Sequence, residues 1–160
     1  MKKQTNPLQP SLIWHKFIVN FSLFAAAAIN ILRSIAIISG YKYGGSANKN
    51  IVYQRIGNLQ LVDTWLIIFY TCIAFGAIYV RQCLARFETK APKKLNILMI
   101  VNSALNLLFF FIEFAVLYKY VDVQYTGNMF RNVFINIIAT VILVIVNSIY
   151  YKKRKFLFVN

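Results

Sequence analysis

Acidic side chains are nearly missing from this chain. Four Asp and Glu stand against eighteen Lys and Arg in 160 residues, a formal net charge of +14. In a soluble protein that balance would suggest nucleic acid, but here the basic residues flank apolar runs, where they hold orientation and touch anionic headgroups. Nucleic acid is therefore not an expected partner. Cysteine is equally scarce: Cys72 and Cys83 are the whole supply. On one helix their Cα atoms would sit roughly 16 Å apart, which excludes a disulfide between them. With a single histidine, no Cys and His group has zinc-ligand spacing, so neither metal nor cofactor is expected. No glycine-rich phosphate loop opens a helix, and no serine has a base in a recognisable pattern. An enzyme is accordingly the weakest functional class. His15, beside Lys16, reads as a boundary residue rather than a catalytic one.

What the chain has in excess is apolar surface. Hydrophobic residues make up 59% and aromatic residues 16%, with mean hydropathy +0.59, well above the apolar share of a soluble domain. The reading is an all-α integral membrane protein of four spans, at about 12–39, 59–80, 95–117 and 133–151. A polar lead-in with two prolines occupies 1–11. The small residues at 25–28 raise a signal-peptide reading, but the apolar run continues to Ile38 and Asn20 interrupts it. The stretch 40–57, rich in Gly, Tyr and Asn, is expected to be the longest loop. Residues 81–94 form a basic amphipathic connector ending at Pro92, and 118–131 a short loop with Asp122, Tyr125 and Gly127. The fourth span runs into Lys152, Lys153, Arg154 and Lys155. The many Tyr and Phe read as core and boundary belts.

Four spans put both termini on one side. Lys2, Lys3, Lys16, Arg81, Arg86, Lys90, Lys93, Lys94 and 152–155 lie with the termini, twelve basic residues against five in the other loops, Lys42, Lys49, Arg55, Lys119 and Arg131. Both termini are therefore expected in the cytoplasm.

The third span carries Asn102, Asn106 and Glu113 within roughly 40° of one another at helical periodicity. Such a stripe must face other helices, because polar groups turned to lipid cost several kcal/mol. Helical rise then places Arg33 roughly 8 Å past the centre of the first span, with Asp63 and Glu113 near 10 Å on the same outer side. Asn136 falls in that layer too. Arg33, Asp63, Glu113 and Asn136 thus form an expected intramembrane polar cluster, one from each helix. It is either an ion pair of Arg33 with Glu113 or Asp63 that sets register, or the lining of an outward cavity for an ion or anionic headgroup. A third alternative is an Arg33 that snorkels through lipid. Asp63, near the interface, could also cap its helix. Asn20, Asn102, Asn106, Asn136, Thr140 and Asn147 are expected to hydrogen-bond between helices.

The tail 146–158, an asparagine-bearing span followed by Tyr150, Tyr151, a basic run, Leu157 and Phe158, is similar to the end of a loose group of uncharacterised small bacterial four-span membrane proteins. The connector fits as well, with Ala91, Pro92 and Lys93 before a span. Tyr53, Leu61 and Asp63 stand where those proteins tend to have a tyrosine, a leucine and an aspartate. Some of them carry an added zinc ribbon that this chain lacks. The resemblance implies the same four-span fold and a bacterial cell membrane. The basic-aromatic ending is also similar to GtrA-like proteins, four-span proteins associated with moving polyprenyl-linked sugars. Their second span typically ends in an asparagine, basic and aromatic pattern, whereas this one reads Val80, Arg81, Gln82, Cys83.

An antiparallel four-helix transmembrane bundle follows. Its leading functional expectation is a non-enzymatic accessory or subunit protein that binds another membrane protein or itself, motivated by small size, the lack of recognisable chemistry and the small-residue patch Ala74, Gly76 and Ala77. The alternative is a small transporter or flippase-like protein for an anionic or lipid-linked substrate.

Overall fold

The computed structural model describes residues 11–120 and 123–159, with the backbone alone over 123–129. The lead-in 1–10, Asp122 and the side chain of Tyr125 lie outside the described residues. The protein is an all-α four-helix bundle; the described residues contain no strand. Helix α1 covers Ile13–Ile38, α2 Ser46–Arg55, α3 Gly57–Ala85, α4 Ala91–Leu117 and α5 Val123–Lys152. Helices α1, α3, α4 and the Phe130–Lys152 part of α5 are long and apolar enough to cross a membrane, so this is a multi-pass membrane protein.

Every helix after the first runs past the apolar window that marks its span. Hydropathy measures the length in lipid, whereas a helix continues until a cap or turn stops it. Helix α4 begins four residues before Leu95 because Pro92 fits its first turn, where the missing N–H has no intrahelical partner to lose. Helix α5 consumes most of the expected 118–131 loop. The 40–57 stretch is not a loop throughout: after a 3₁₀ turn at Tyr41–Tyr43 it forms α2. Gly40 makes that reversal possible. Its φ is +78°, and a Cβ there would lie 2.8 Å from the Gly45 carbonyl oxygen.

The spans pack in chain order, α1 on α3, α3 on α4 and α4 on α5. Lipid tails are as apolar as leucine, so close packing and polar links, rather than escape from water, hold such helices together. At the end carrying the termini, Leu23, Ala27, Ala77, Val80, Leu84 and Leu95 build one core. Toward the other end Ile37, Val62, Leu66, Phe69 and Ile73 build a second. Ala74 and Ala77 are buried inside the first core, and the Cβ position of Gly76 lies 3.0 Å from Leu98 Cδ1 on α4. The small residues thus let α3 approach α1 and α4, and the patch is spent within the chain.

The first and last spans meet at one end only. Trp14 Nε1 donates to Asn147 Oδ1 at 3.0 Å, and Asn147 Nδ2 donates to Met99 Sδ at 3.4 Å. Below that seam the C-terminal tail returns to α1. His15 is buried, stacked on Phe87 with ring centroids 4.9 Å apart, and edge-on to Tyr151 and Phe158. It is a core residue that ties three segments together, not the boundary residue its neighbour Lys16 suggested. One backbone irregularity also serves packing. Residues Ile18–Ser22 of α1 form a π-turn, and the Val19 carbonyl accepts from Arg81 Nε of α3 at 3.1 Å. π-Turns free carbonyls in this way.

Candidate functional site

At the loop end the helices diverge around a cavity of about 450 Å³, lined by residues of all four spans and by Lys42. Arg33 and Ile37 enter from α1, Tyr70 from α3, Asn106, Phe110 and Glu113 from α4, and Asn132 and Asn136 from α5. The periodicity of each helix explains the convergence. Arg33 and Ile37 are one turn apart on α1, as are Asn132 and Asn136 on α5, while Asn106, Phe110 and Glu113 occupy successive turns of one α4 face.

Three members of the expected cluster, Arg33, Glu113 and Asn136, line this cavity; Asp63 sits behind Lys42. The expected pairing is corrected. Arg33 makes no ion pair with Asp63 or Glu113; its guanidinium lies over the Tyr70 ring, 5.5 Å from the centroid. The cation between the two carboxylates is Lys42, with Nζ 2.8 Å from Asp63 Oδ1 and 2.5 Å from Glu113 Oε1. Lys42 takes the place because the 3₁₀ turn directs its long side chain down into the bundle, whereas Arg33 leaves α1 on the cavity side. No helical periodicity announces a contact made from a turn.

Asp63 is not a cap. It lies six residues inside α3, 1% exposed, and its carboxylate accepts from Lys42, from Tyr43 Oη at 2.5 Å and from Tyr53 Oη at 2.7 Å. Three donors from the 40–55 segment thus converge on one buried carboxylate, which seats α2 on the bundle. Burial alone would lower the Lys42 pKa, but Glu113 and Asp63 outweigh it and the ammonium pKa is raised. Burial first, and then the hydrogen bond to Asp63, raise the phenol pKa of both Tyr43 and Tyr53. Lys42 is therefore charged and both phenols are neutral at ordinary pH.

The charges around the cavity then sum simply: Lys42 and Arg33 against Asp63 and Glu113. Lys42 and Arg33 both line the space; Lys42 is in contact with both carboxylates and Arg33 with neither. Among the described residues Arg33 has no carboxylate partner. The amides divide. Asn136 accepts from Ser103 Oγ at 3.2 Å across α4 and α5, whereas Asn106 Nδ2 turns back to the Asn102 carbonyl on its own helix at 2.7 Å. The expected bonding between helices thus holds for Asn136 and Asn147 but not for Asn106. A bond between Asn96 Nδ2 and Ser148 Oγ, 2.9 Å, adds to it near the terminal end; neither residue lies on the polar stripes that sequence periodicity picks out.

Of the described residues, no group of three or more His, Cys, Asp and Glu could hold a metal ion. No family model, curated protein or solved structure matches the chain.

Proposed function

We propose that this protein binds the anionic headgroup of a lipid or lipid-linked molecule in the loop-end cavity and acts as a small transporter or flippase-like protein of a bacterial cell membrane. The observation that carries this reading is Arg33. It faces an open cavity of about 450 Å³ and contacts no carboxylate among the described residues, the nearest acids Asp63 and Glu113 both being held by Lys42. Guanidinium groups bind phosphate oxygens in forked geometry, and a partly desolvated site strengthens each contact. Asn132 and Asn136 at the rim offer amide donors, and Ile37, Phe109, Phe110 and Val133 form an apolar border for the lipid part. Because α1 and α5 do not pack together along their length, the headgroup has a lateral path from the bilayer.

The excess of basic residues at the terminal end supports cytoplasmic termini and an outward cavity. An impermeant maleimide applied to intact cells should then label a cysteine at Gln54 but not one at Lys153, in a background with Cys72 and Cys83 replaced by Ser.

The test of function uses proteoliposomes containing fluorescent phosphatidylglycerol and an impermeant quencher. Wild type should expose inner-leaflet lipid to the quencher, and Arg33→Gln should slow that by about tenfold or more, the scale of one lost charge-assisted contact. Equal rates in both would reject the site. Binding that depends on Arg33 without lipid movement would support the accessory-protein reading. The small-residue face, one of the three motives for that reading, is used inside the bundle, where Ala74 and Ala77 are buried.

A further inference from the structure

A second cavity, about 490 Å³, lies at the opposite end between α4 and α5. Its rim carries Lys93, Lys152 and Lys155, and its floor Ile97, Ile100 and Val144. None of the three lysines is in an ion pair among the described residues, and Glu88, on the connector beside them, is held by Lys94 at 2.9 Å. From this geometry we infer that the groove is a specific site for one anionic phospholipid of the leaflet that faces the chain termini, its phosphate among the lysines and its acyl chain along the apolar floor.

Two independent features meet here. The first is polarity along the helices. Lys93 lies one turn before Ile97 on α4, and Lys152 two turns past Val144 on α5, so charge and apolar surface are stacked in the order that a lipid presents headgroup and chain. The second is that the helices that line the groove are tied to each other. Asn96 Nδ2 donates to Ser148 Oγ across the groove, and Tyr151 and Phe158 are buried at its base against His15. Scattered surface lysines attract any anionic membrane diffusely. Three lysines over a groove whose apolar side is Ile97 and Ile100, each about half exposed, distinguish a lipid from free phosphate, which has nothing to place on those side chains. The site is separate from the Arg33 cavity and stands without the function proposed for it.

The test is native mass spectrometry of the delipidated full chain in a mild detergent, titrated with dioleoylphosphatidylglycerol, dioleoylphosphatidylcholine or inorganic phosphate. One phosphatidylglycerol should bind at least tenfold more tightly than phosphatidylcholine, and phosphate should not displace it. Replacing Lys93, Lys152 and Lys155 together with Gln should remove that preference, roughly a tenfold loss or more for three lost headgroup charges. A control that removes the same charge from the same end, Lys16→Gln with Lys90→Gln and Lys153→Gln, should change binding less than twofold. Ile100→Trp, which fills the floor and leaves every charge in place, should release the lipid and serves if the triple variant does not fold. These titrations use the Arg33→Gln background, so that the loop-end cavity does not contribute a second phosphatidylglycerol. Equal losses in the two triple variants would reduce the groove to diffuse attraction, and retention in Ile100→Trp would remove the acyl slot; either result overturns the inference.

Discussion

Asp63 concentrates more of this structure than any other single side chain. One buried carboxylate receives Lys42, Tyr43 and Tyr53, and those three contacts close the 40–55 segment over the bundle. Removing its charge leaves Lys42 with Glu113 alone and turns one oxygen into a donor facing donors. Asp63→Asn should therefore lower stability by about 3 kcal/mol, the cost of breaking a buried pair, while Tyr53→Phe should cost about 1 kcal/mol, one hydrogen bond. Unfolding in detergent, followed by circular dichroism, measures both. The same cluster sets a pH dependence. Lys42, Tyr43 and Tyr53 have pKa values raised in the folded protein above their ordinary 10.5 and 10.0, so the folded state holds these protons more tightly than the unfolded chain. Their contribution is complete below about pH 10 and is lost as pH rises through the folded values. The melting temperature should be level from pH 7 to 9 and fall above 10, with a shallower fall in the double variant Tyr43→Phe, Tyr53→Phe.

Tyr53 and Asp63, ten residues apart, are joined by a hydrogen bond from the phenol to the carboxylate. Lys42 was out of reach of a sequence reading because it acts from a turn, where no period relates a residue to its partner. Arg33 does line one cavity with Glu113 and Asn136 but has a different mate from the expected one, since helical rise gives height along the bundle and not the direction a long side chain takes.

Among the elements, α3 is the centre of the bundle, in contact with α1 on one side and α4 on the other. Gly76 sets how near α4 comes. A single methyl would touch the flexible end of Leu98 at 3.0 Å, a contact that Leu98 can relieve by rotating. Gly76→Ala should accordingly cost less than about 1 kcal/mol, while Gly76→Leu should cost about 1–3 kcal/mol by forcing the helices apart. A Gly76→Leu protein as stable as wild type in the same unfolding assay would show that α3 and α4 do not depend on this approach. The sequence reads Ala74, Gly76 and Ala77 as a contact face; that the face points inward, rather than to a partner, depends on which side of α3 meets α1 and α4.

At the scale of the whole molecule, the two ends of the bundle are held together differently. The terminal end is sealed by Trp14 on Asn147 and by the aromatic cluster of His15, Phe87, Tyr151 and Phe158. The loop end spreads around Arg33. Asn147 is 2% exposed and joins α1, α4 and α5; Asn147→Leu would leave the half-buried Trp14 N–H without its acceptor. A loss of about 1–3 kcal/mol is expected, with faster hydrogen exchange in the terminal halves of α1 and α5. Unchanged exchange there would mean that the tail alone holds the seam.

The amino-acid sequence by itself determined that this chain spans a membrane four times, because about twenty apolar residues in a row have no other stable place. It also determined the layer in which the polar residues lie, because helical rise is constant. Tertiary structure alone decided which charges meet, that the first loop folds into a helix over them, and that a boundary histidine is a core residue. Those outcomes depend on side chains from segments distant in the chain. Their pairing follows from how the helices are rotated and how the turns aim, and neither is written in a local period.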